Sequence, residues 1–335
     1  MTDSMSLKAA VAVCDLWKSA GGNRHVHIAA REPLLWRDRN YTPPDLVSAL
    51  GDLDFEVSLT TNGSLLKPIA KRLKTSGLKK LRISWHTTRP DLFAAISGGA
   101  IYSRFMESVD AALESGVPVT FNRLLFRGYF DDLPSQIEFV EDHSLTLKLY
   151  DLLWTPEIAD HYSEAYQGCM PVLEDYVIPR SRGSEIISDG WTRSRIRFHL
   201  PNGGCVEVKM GWNLDRSNPP CIVCPYSSMC SEQFGDYVRI EPDLHLYFCY
   251  LRRDIAIDIQ DLLGINGARD KILKKLTSIL GPRVEALLSK ASLRLIVEPR
   301  CNFKCFFPGT HVSWCHKSKI NGLSDRGLAT RPNPL

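Results

Sequence analysis

The sequence lacks several features that would place it in a particular class of protein. It has no run of about 18 apolar residues, so no membrane-spanning helix is expected. It has no block of lysine or arginine, and its formal net charge is only +3, so no nucleic-acid partner is expected. Residues 1–17 include Asp3 and Asp15 and only a short apolar stretch, which does not predict a signal peptide. These absences predict a folded cytoplasmic protein, and its mild charge would tolerate an anionic small molecule as partner.

Cysteine, by contrast, is abundant, with ten in 335 residues. In a reducing compartment, clustered cysteines favour metal binding or catalysis over disulfides. Seven of the ten form two groups, which are Cys221, Cys224, Cys230 and Cys249, and then Cys301, Cys305 and Cys315. Cys14 and Cys169 are expected to be isolated thiols. Two metal or cluster sites are therefore predicted.

Strand and helix patterns alternate along the first 150 residues. Apolar stretches predict strands at 25–30, 55–60, 80–84, 117–126, 145–149 and, much later, 293–297. Strands alternating with helices favour a parallel sheet or barrel with right-handed crossovers. Such barrels place their chemistry at the carboxyl ends of the strands. Beyond residue 154 the alternation is lost, and short strands such as 195–200 and 206–210 are predicted instead.

The last predicted strand leads directly into Cys301 and Cys305, and Cys315 follows Trp314. Three thiolates on one loop suit a [4Fe–4S] cluster that keeps one iron open. An apolar strand followed by Cys-x3-Cys resembles the start of the catalytic domain in radical S-adenosylmethionine (SAM) enzymes. The family's usual second interval of two residues is nine here. The alternative is three buried or zinc-binding cysteines, with His311 or His316 as a fourth ligand.

Other segments resemble the same family in the same order. Residues 30–35, Ala-Arg-Glu-Pro-Leu-Leu, resemble the Gly-Gly-Glu-Pro-Leu-Leu segment that binds the SAM amino group, and 59–63, 82–84 and 121–128 resemble later strand ends. The resemblance implies a set of SAM-binding residues, namely Arg31, Glu32, Thr61, Asn62, Ser84 and Asn122. The candidate catalytic residues are Arg31, Trp85 and His86. A purely structural role for His86 is an equal alternative.

The position of the cluster loop differs from that of the family, where it lies near the N-terminus. When the chain is followed from residue 291 to its end and on from Met1, its elements take the family's order. The chain is therefore interpreted as a circularly permuted, partial (β/α)6 TIM-like barrel. Three segments are predicted: 1–155 with barrel strands 2–6, 156–267 with an auxiliary-cluster module, and 268–335 with a helix, barrel strand 1 and the SAM-cluster loop.

The first cysteine group has the spacing Cys221-x2-Cys224-x5-Cys230, and a predicted hairpin at 237–249 brings Cys249 back to it. This layout resembles SPASM and twitch domains, which bind an auxiliary [4Fe–4S] cluster. A zinc ribbon with four cysteine ligands is the alternative. Cys205 could replace one of the ligands.

The subfamily that the chain resembles is the molybdenum-cofactor GTP 3′,8-cyclase group with its SPASM/twitch relatives. The resemblance implies two [4Fe–4S] clusters, reductive cleavage of SAM to a 5′-deoxyadenosyl radical, and an electron donor such as flavodoxin or ferredoxin. A nucleoside or nucleotide substrate is expected by analogy. The cyclases' arginine-rich strand is not reproduced, although Arg239, Arg252 and Arg253 are nearby.

Several reactions are compatible with this resemblance. The C-terminal position of the motif also resembles enzymes that insert sulfur into a sugar ring in thionucleoside-antibiotic pathways of the albomycin kind, and sulfur insertion is the candidate reaction. Peptide modification, as in many SPASM proteins, and a GTP cyclase-like rearrangement are the enzymatic alternatives. A zinc-stapled binding module is the non-enzymatic alternative.

Overall fold

The structure, a computed structural model, describes residues 4–188, 194–210, 217, 219–232, 234–235 and 237–297. Within these ranges, no helix combines the length and the apolar character needed to cross a bilayer. The predicted ligands of the SAM cluster, Cys301, Cys305 and Cys315, lie outside the described residues.

The described residues form eleven α-helices and twelve strands. The helices are α1 (Leu7–Ser19), α2 (Pro43–Gly51), α3 (Ala70–Thr75), α4 (Pro90–Ile96), α5 (Tyr102–Glu114), α6 (Leu133–Asp142), α7 (Ala159–Ala165), α8 (Cys169–Val172), α9 (Pro219–Ile222), α10 (Ala268–Leu280) and α11 (Val284–Lys290). The strands are β1 (His25–Ala29), β2 (Glu56–Thr61), β3 (Lys80–Ser84), β4 (Val119–Leu124), β5 (Thr146–Tyr150), β6 (Gly183–Ser188), β7 (Ser194–His199), β8 (Cys205–Lys209), β9 (Tyr237–Ile240), β10 (His245–Tyr247), β11 (Ala256–Asp258) and β12 (Ser292–Ile296).

All twelve of these strands lie in one sheet, in the order β11-β10-β9-β12-β1-β2-β3-β4-β5-β8-β7-β6. The eight strands from β9 to β8 in this order are parallel, and antiparallel strands flank them at both ends. The prediction of a partial TIM-like α/β barrel is confirmed, with β12 and β1–β5 as its six predicted strands. Strands from all three predicted segments join this sheet. The segment 156–267 contributes β8 and β9, which extend the six predicted strands on either side.

Strand β12 comes late in the chain but lies beside β1. Arg294 is the register partner of His27 on one side, and Leu293 is the partner of Val238 on the other. The amide of Val297 donates to the carbonyl of Ala29 over 3.0 Å. The carboxyl ends of β12 and β1 therefore lie at the same edge of the sheet, which is the edge where the loop after residue 297 begins.

The helices begin and pack as their sequences predict. In α1, the Ser6 hydroxyl accepts a hydrogen bond from the Ala9 amide at 3.1 Å and caps the first turn. Its buried residues recur with helical spacing and form one apolar stripe, which consists of Ala10, Val13, Cys14, Leu16 and Trp17. Helix α2 packs against β2, and α6 packs against β5 and β8.

The two faces of the sheet differ in chemistry because successive side chains of a strand point to opposite faces. The face under the helices is apolar, with fully buried residues such as Ile28, Leu59, Ile83, Phe121, Leu149 and Leu295. The opposite face, which we call the inner face, carries polar residues in register, namely Arg239, Arg294, His27, Ser58, Lys80, Arg82, Asn122, Lys148 and Glu207. Apolar layers fill the interior of a complete TIM barrel. A polar inner face therefore indicates a surface that meets water or a ligand.

Candidate functional site

Glu32 connects the carboxyl ends of two neighbouring strands. It follows β1 and is only 3% exposed. Its Oε1 accepts hydrogen bonds from the Leu34 amide at 3.0 Å and from the Thr61 hydroxyl at 2.7 Å, while Oε2 accepts from the Asn62 amide at 2.7 Å. The structure thus brings together three of the predicted SAM-binding residues, Glu32, Thr61 and Asn62, with the carboxylate held in one orientation.

The other predicted SAM-binding residues lie at adjacent positions of the same edge. Ser84, which ends β3, is the register partner of Asn122 on β4. The Asn122 Oδ1 atom is buried and receives no hydrogen bond from any residue in the described ranges. A buried amide oxygen without a donor is costly, so this atom fits a bound donor group. Arg31 is exposed next to Glu32.

The predicted catalytic pair, Trp85 and His86, is split between two environments. Trp85 is 1% exposed and packs against Phe105, Phe121 and Phe139, with ring centroids 5.0 to 6.2 Å apart. Its indole belongs to the helix side of the sheet, because it follows the inward-facing end of β3 by one residue. Trp85 thus has a packing role in the structure, and its catalytic role stays a prediction.

His86 is held by the backbone of the neighbouring strand. Its Nδ1 accepts a hydrogen bond from the Leu124 amide at 3.0 Å. In the neutral ring the proton therefore lies on Nε2. This contact joins the carboxyl ends of β3 and β4, which agrees with the alternative of a structural role for His86. The catalytic role of His86 stays a prediction.

The inner face carries more positive than negative charge. Glu207 accepts from Arg197 at 2.8 Å and lies 2.9 Å from the Lys148 ammonium and 3.4 Å from Arg195. Burial would raise the pKa of Glu207, but the neighbouring Lys148 and arginines outweigh burial and lower it to about 2. The ion pair with Glu207 would raise the pKa of Lys148, but burial and the positive charges of Arg195 and Arg82 outweigh it and lower this pKa to about 8. Both directions are expected where cations outnumber carboxylates.

His27 lies in the middle of this charged surface. Its Nδ1 is 2.8 Å from the Ser58 hydroxyl and 3.2 Å from an Arg82 nitrogen, and its Nε2 is 3.0 Å from the Thr60 hydroxyl. Because Arg82 can only donate, Nδ1 is the acceptor and Nε2 carries the proton. Burial, followed by repulsion from Arg82, Arg294 and Lys148, lowers the pKa of His27 well below 6.5. The ring is therefore neutral at physiological pH.

The lowered pKa values of the inner-face lysines predict that the stability of the protein increases at alkaline pH. Burial and neighbouring cations lower the pKa of Lys80 and of Lys148 from 10.5 to about 8. Between these values an unfolded lysine keeps its proton and the folded one loses it, so their contribution to the free energy of unfolding rises with pH across this window. Urea denaturation between pH about 8 and about 10 should therefore show a smaller rise for Lys80→Met than for the unmodified protein. If the free energy of unfolding changed with pH equally in the two proteins, the lowered pKa of Lys80 would be contradicted.

The auxiliary cysteines lie near both flanks of the parallel sheet, because Cys249 follows β10 and Glu232, two residues after Cys230, pairs with Lys209 of β8 at 2.6 Å. Cys221 belongs to α9, Cys224 follows in the next turn, and Cys249 follows β10; these thiols and Cys230 are partly exposed. Burial raises the pKa of Cys230 to about 11, with further contributions from Cys249 and Cys221. Among the described residues, no group of three or more His, Cys, Asp or Glu side chains could hold a single metal ion.

These four thiols fit an iron–sulfur cluster by the chemistry of their donors. Thiolates are the usual ligands of such clusters, and a cluster bonds each thiolate to a different iron, so its ligands stand farther apart than those of a single ion. The Arg252 guanidinium pairs with Asp254 at 2.6 Å and lies near the Cys224 thiol. The Cys205 thiol is instead 3.4 Å from the Thr146 hydroxyl, in the sheet.

Sequence reasoning did not identify the inner-face cations. Lys80, Arg82, Lys148 and Arg294 each lie inside a correctly predicted strand. The signal was the alternation of charged and apolar residues, as in Lys80-Leu81-Arg82-Ile83. Such alternation normally indicates a strand with one solvated face, and it does not reveal that several charged strands share one concave surface.

Comparison with known proteins identifies one matching family model and several similar proteins. Residues 2–139 match the family model for the Radical SAM superfamily. A probable GTP 3′,8-cyclase of Methanothermobacter marburgensis is 23% identical over 258 residues, which is 76% of this chain and 78% of that protein. A probable GTP 3′,8-cyclase of Saccharolobus solfataricus is 28% identical over 244 residues, 72% of each. SuiB of Streptococcus suis bound to S-adenosylmethionine superposes with a TM-score of 0.40 at 18% identity, over 54% of this chain and 41% of that one.

These matches confirm the prediction of an enzyme, with a Radical SAM superfamily match over residues 2–139 and GTP 3′,8-cyclases as homologues at modest identity. The matched range 2–139 contains Glu32, Thr61, Asn62, Ser84 and Asn122. A radical SAM enzyme implies SAM and a [4Fe–4S] cluster as cofactors, together with a reductant.

Proposed function

Because residues 2–139 of this enzyme match the Radical SAM superfamily, we propose that it cleaves SAM reductively and modifies a small substrate, a nucleoside or nucleotide. The SAM cluster is assigned to Cys301, Cys305 and Cys315. When bound, cluster and SAM supply a 5′-deoxyadenosyl radical that takes a hydrogen atom from the substrate. The electron comes from a flavodoxin or ferredoxin.

The hydrogen-bonded group of Glu32, Thr61 and Asn62 carries this proposal. It lies at the carboxyl edge of the sheet, where the chemistry of such barrels is located, and at the edge where β12 leads towards Cys301. The three hydrogen bonds to Glu32 hold a carboxylate, which suits the ammonium group of SAM. Arg31, Ser84 and Asn122 complete the proposed SAM-binding set, in which the Asn122 amide oxygen receives no hydrogen bond from the described residues.

We also propose that the chain is circularly permuted relative to its family. The supporting observation is the position of β12, which pairs in parallel with β1 although more than 260 residues separate Arg294 from its partner His27. A barrel strand that leads into the cluster loop belongs beside β1 in the family order. The end of β12 and the start of the described chain are joined by a 2.9 Å hydrogen bond from the Met5 amide to the Val297 carbonyl.

For the second cysteine group we propose an auxiliary [4Fe–4S] cluster of the SPASM/twitch kind, held by Cys221, Cys224, Cys230 and Cys249. The β9–β10 hairpin supports this assignment because it returns Cys249 towards the inner face, where the buried Arg239 donates to the Cys249 carbonyl at 2.6 Å. The candidate reaction is sulfur insertion into a sugar ring. A GTP cyclase-like rearrangement is the second candidate, and the homologous cyclases favour it.

Anaerobic reconstitution of the full chain with iron and sulfide tests the proposal. We expect about eight irons per chain, four in each cluster. We also expect 5′-deoxyadenosine from SAM and dithionite, measured by liquid chromatography. Bound zinc without SAM cleavage would instead identify a zinc-stapled binding module and contradict the proposed function.

A further inference from the structure

Lys80 is a half-buried cation of the inner face that lacks a partner among the described residues. Within the described residues, its Nζ makes no hydrogen bond and no ion pair. Its charged neighbours are mainly cations, namely Lys148, Arg82 and Arg195. A buried ammonium group is costly unless it is paired and hydrogen-bonded. A bound anion beside Lys80 would pair with its ammonium group and offset the cost of burying that charge.

The carboxylate that faces these cations does not balance their charge. Glu207 is occupied by Lys148, Arg195 and Arg197, with distances of 2.8 to 3.4 Å. Lys80 and Arg82 come from β3 and Lys148 from β5, so the surplus charge is held by rigid strands and not by loops. Preformed cations on strands suit the recognition of one compact anionic group.

We propose that Lys80, Arg82 and Lys148 bind a phosphoryl group of the substrate on the inner face. A phosphate dianion matches a surplus of more than one positive charge, and an arginine fork with nearby ammonium groups is a common phosphate-binding combination. This inference rests on the proposed function, because it assumes that the inner face holds the substrate. It narrows the substrate class to phosphorylated molecules such as nucleotides, in preference to free nucleosides or peptides.

The carboxylate of SAM does not fill this site. The predicted SAM-binding residues lie at the carboxyl ends of the strands, whereas Lys80 is the first residue of β3 and Ser84 is the last. Four residues of strand correspond to about 13 Å. Lys80 is therefore separated along β3 from the SAM-binding residues, and a phosphate bound beside it would extend towards Lys148, the register partner of Asn122.

Titration of the reconstituted full-length enzyme with inorganic phosphate, followed by 31P NMR, tests the inference. We expect Lys80→Met to weaken phosphate binding at least about ten-fold, since it removes a charge-assisted contact. Lys80→Arg should retain most of the affinity. The matched control is Lys67→Met, which removes a lysine whose ammonium pairs with Glu107 on the surface and should leave the affinity unchanged.

Three outcomes would overturn the inference: no phosphate binding, equal affinities of Lys80→Met and Lys67→Met, which would indicate an adventitious ion only, or acetate binding as tightly as phosphate. Binding to the unmodified enzyme should also weaken as pH rises above about 8, where the two lysines lose their protons, and this measurement needs no variant. Formation of 5′-deoxyadenosine without added phosphate is measured on the same unmodified sample. If no 5′-deoxyadenosine forms, the proposed function is contradicted, but the measured phosphate affinity is unaffected.

Discussion

Cys301→Ala is expected to abolish the formation of 5′-deoxyadenosine from SAM while the auxiliary cluster remains. Three thiolates hold the proposed SAM cluster, and the loss of one removes a bond that the protein does not replace. The iron content of the reconstituted enzyme should fall from about eight to about four per chain. Iron analysis and chromatographic detection of 5′-deoxyadenosine on the same sample provide the measurement.

Two matched variants make this result specific. Replacing Cys224 and Cys249 together by alanine should lower the iron content by the same amount but leave some SAM cleavage, because it leaves the other cluster only two thiolates. Cys14→Ala removes a buried thiol of α1 and should leave iron content and cleavage unchanged. If Cys301→Ala still cleaves SAM at the original rate, the assignment of the SAM cluster to the C-terminal cysteines is wrong.

Arg123→Met is expected to lower the free energy of unfolding by about 3–5 kcal/mol, the cost of breaking a buried ion pair by removing one partner. Arg123 has no exposed side-chain surface, and its guanidinium donates to Asp132 at 2.5 Å, to Gln136 at 2.7 Å and to the Tyr129 carbonyl at 3.0 Å. Burial would raise the pKa of Asp132, but Arg123 and Thr87 lower it. The variant therefore leaves a buried carboxylate without its main partner.

This network also positions the edge of the sheet that carries the site. Asp132 accepts hydrogen bonds from the Thr87 hydroxyl at 2.7 Å and from the amide and hydroxyl of Thr88, which follow β3. Gln136 donates to the Trp85 carbonyl at 2.9 Å. Urea denaturation measures the expected loss, with Arg104→Met on the exposed surface of α5 as control. Similar stabilities of the two variants would show that the buried pair contributes little.

Local patterns were sufficient to predict the elements that form the barrel. Apolar stretches predicted six strands close to their observed bounds, and β12 was expected beside β1 from the family order. The same patterns did not predict that β8 and β9 extend the parallel sheet. Pairing between strands far apart in sequence depends on the closure of long loops and on shared packing, and neither appears in a local pattern.

The candidate site, like the fold, was predicted only in part from the sequence. The segment around Glu32 could be recognised because its residues are adjacent in the sequence, and the structure adds the hydrogen bonds from Thr61 and Asn62. Trp85 illustrates the opposite case. Its place after Ser84 suggested an active-site residue, but one step along a strand reverses the direction of the side chain, and the indole packs against aromatic rings.

The sequence by itself determined the chemistry that this protein can perform. Residue types and short spacings define the thiolates, the Glu32 segment and the strands, because these depend on groups close together in the chain. Only the tertiary structure decided which charges share a surface. Lys80, Arg82, Lys148 and Glu207 come from three strands, and their mutual repulsion and attraction exist only when parallel pairing places them on one inner face. Electrostatic energy depends on distance in space, and so the proposed anion-binding surface became visible only in the fold.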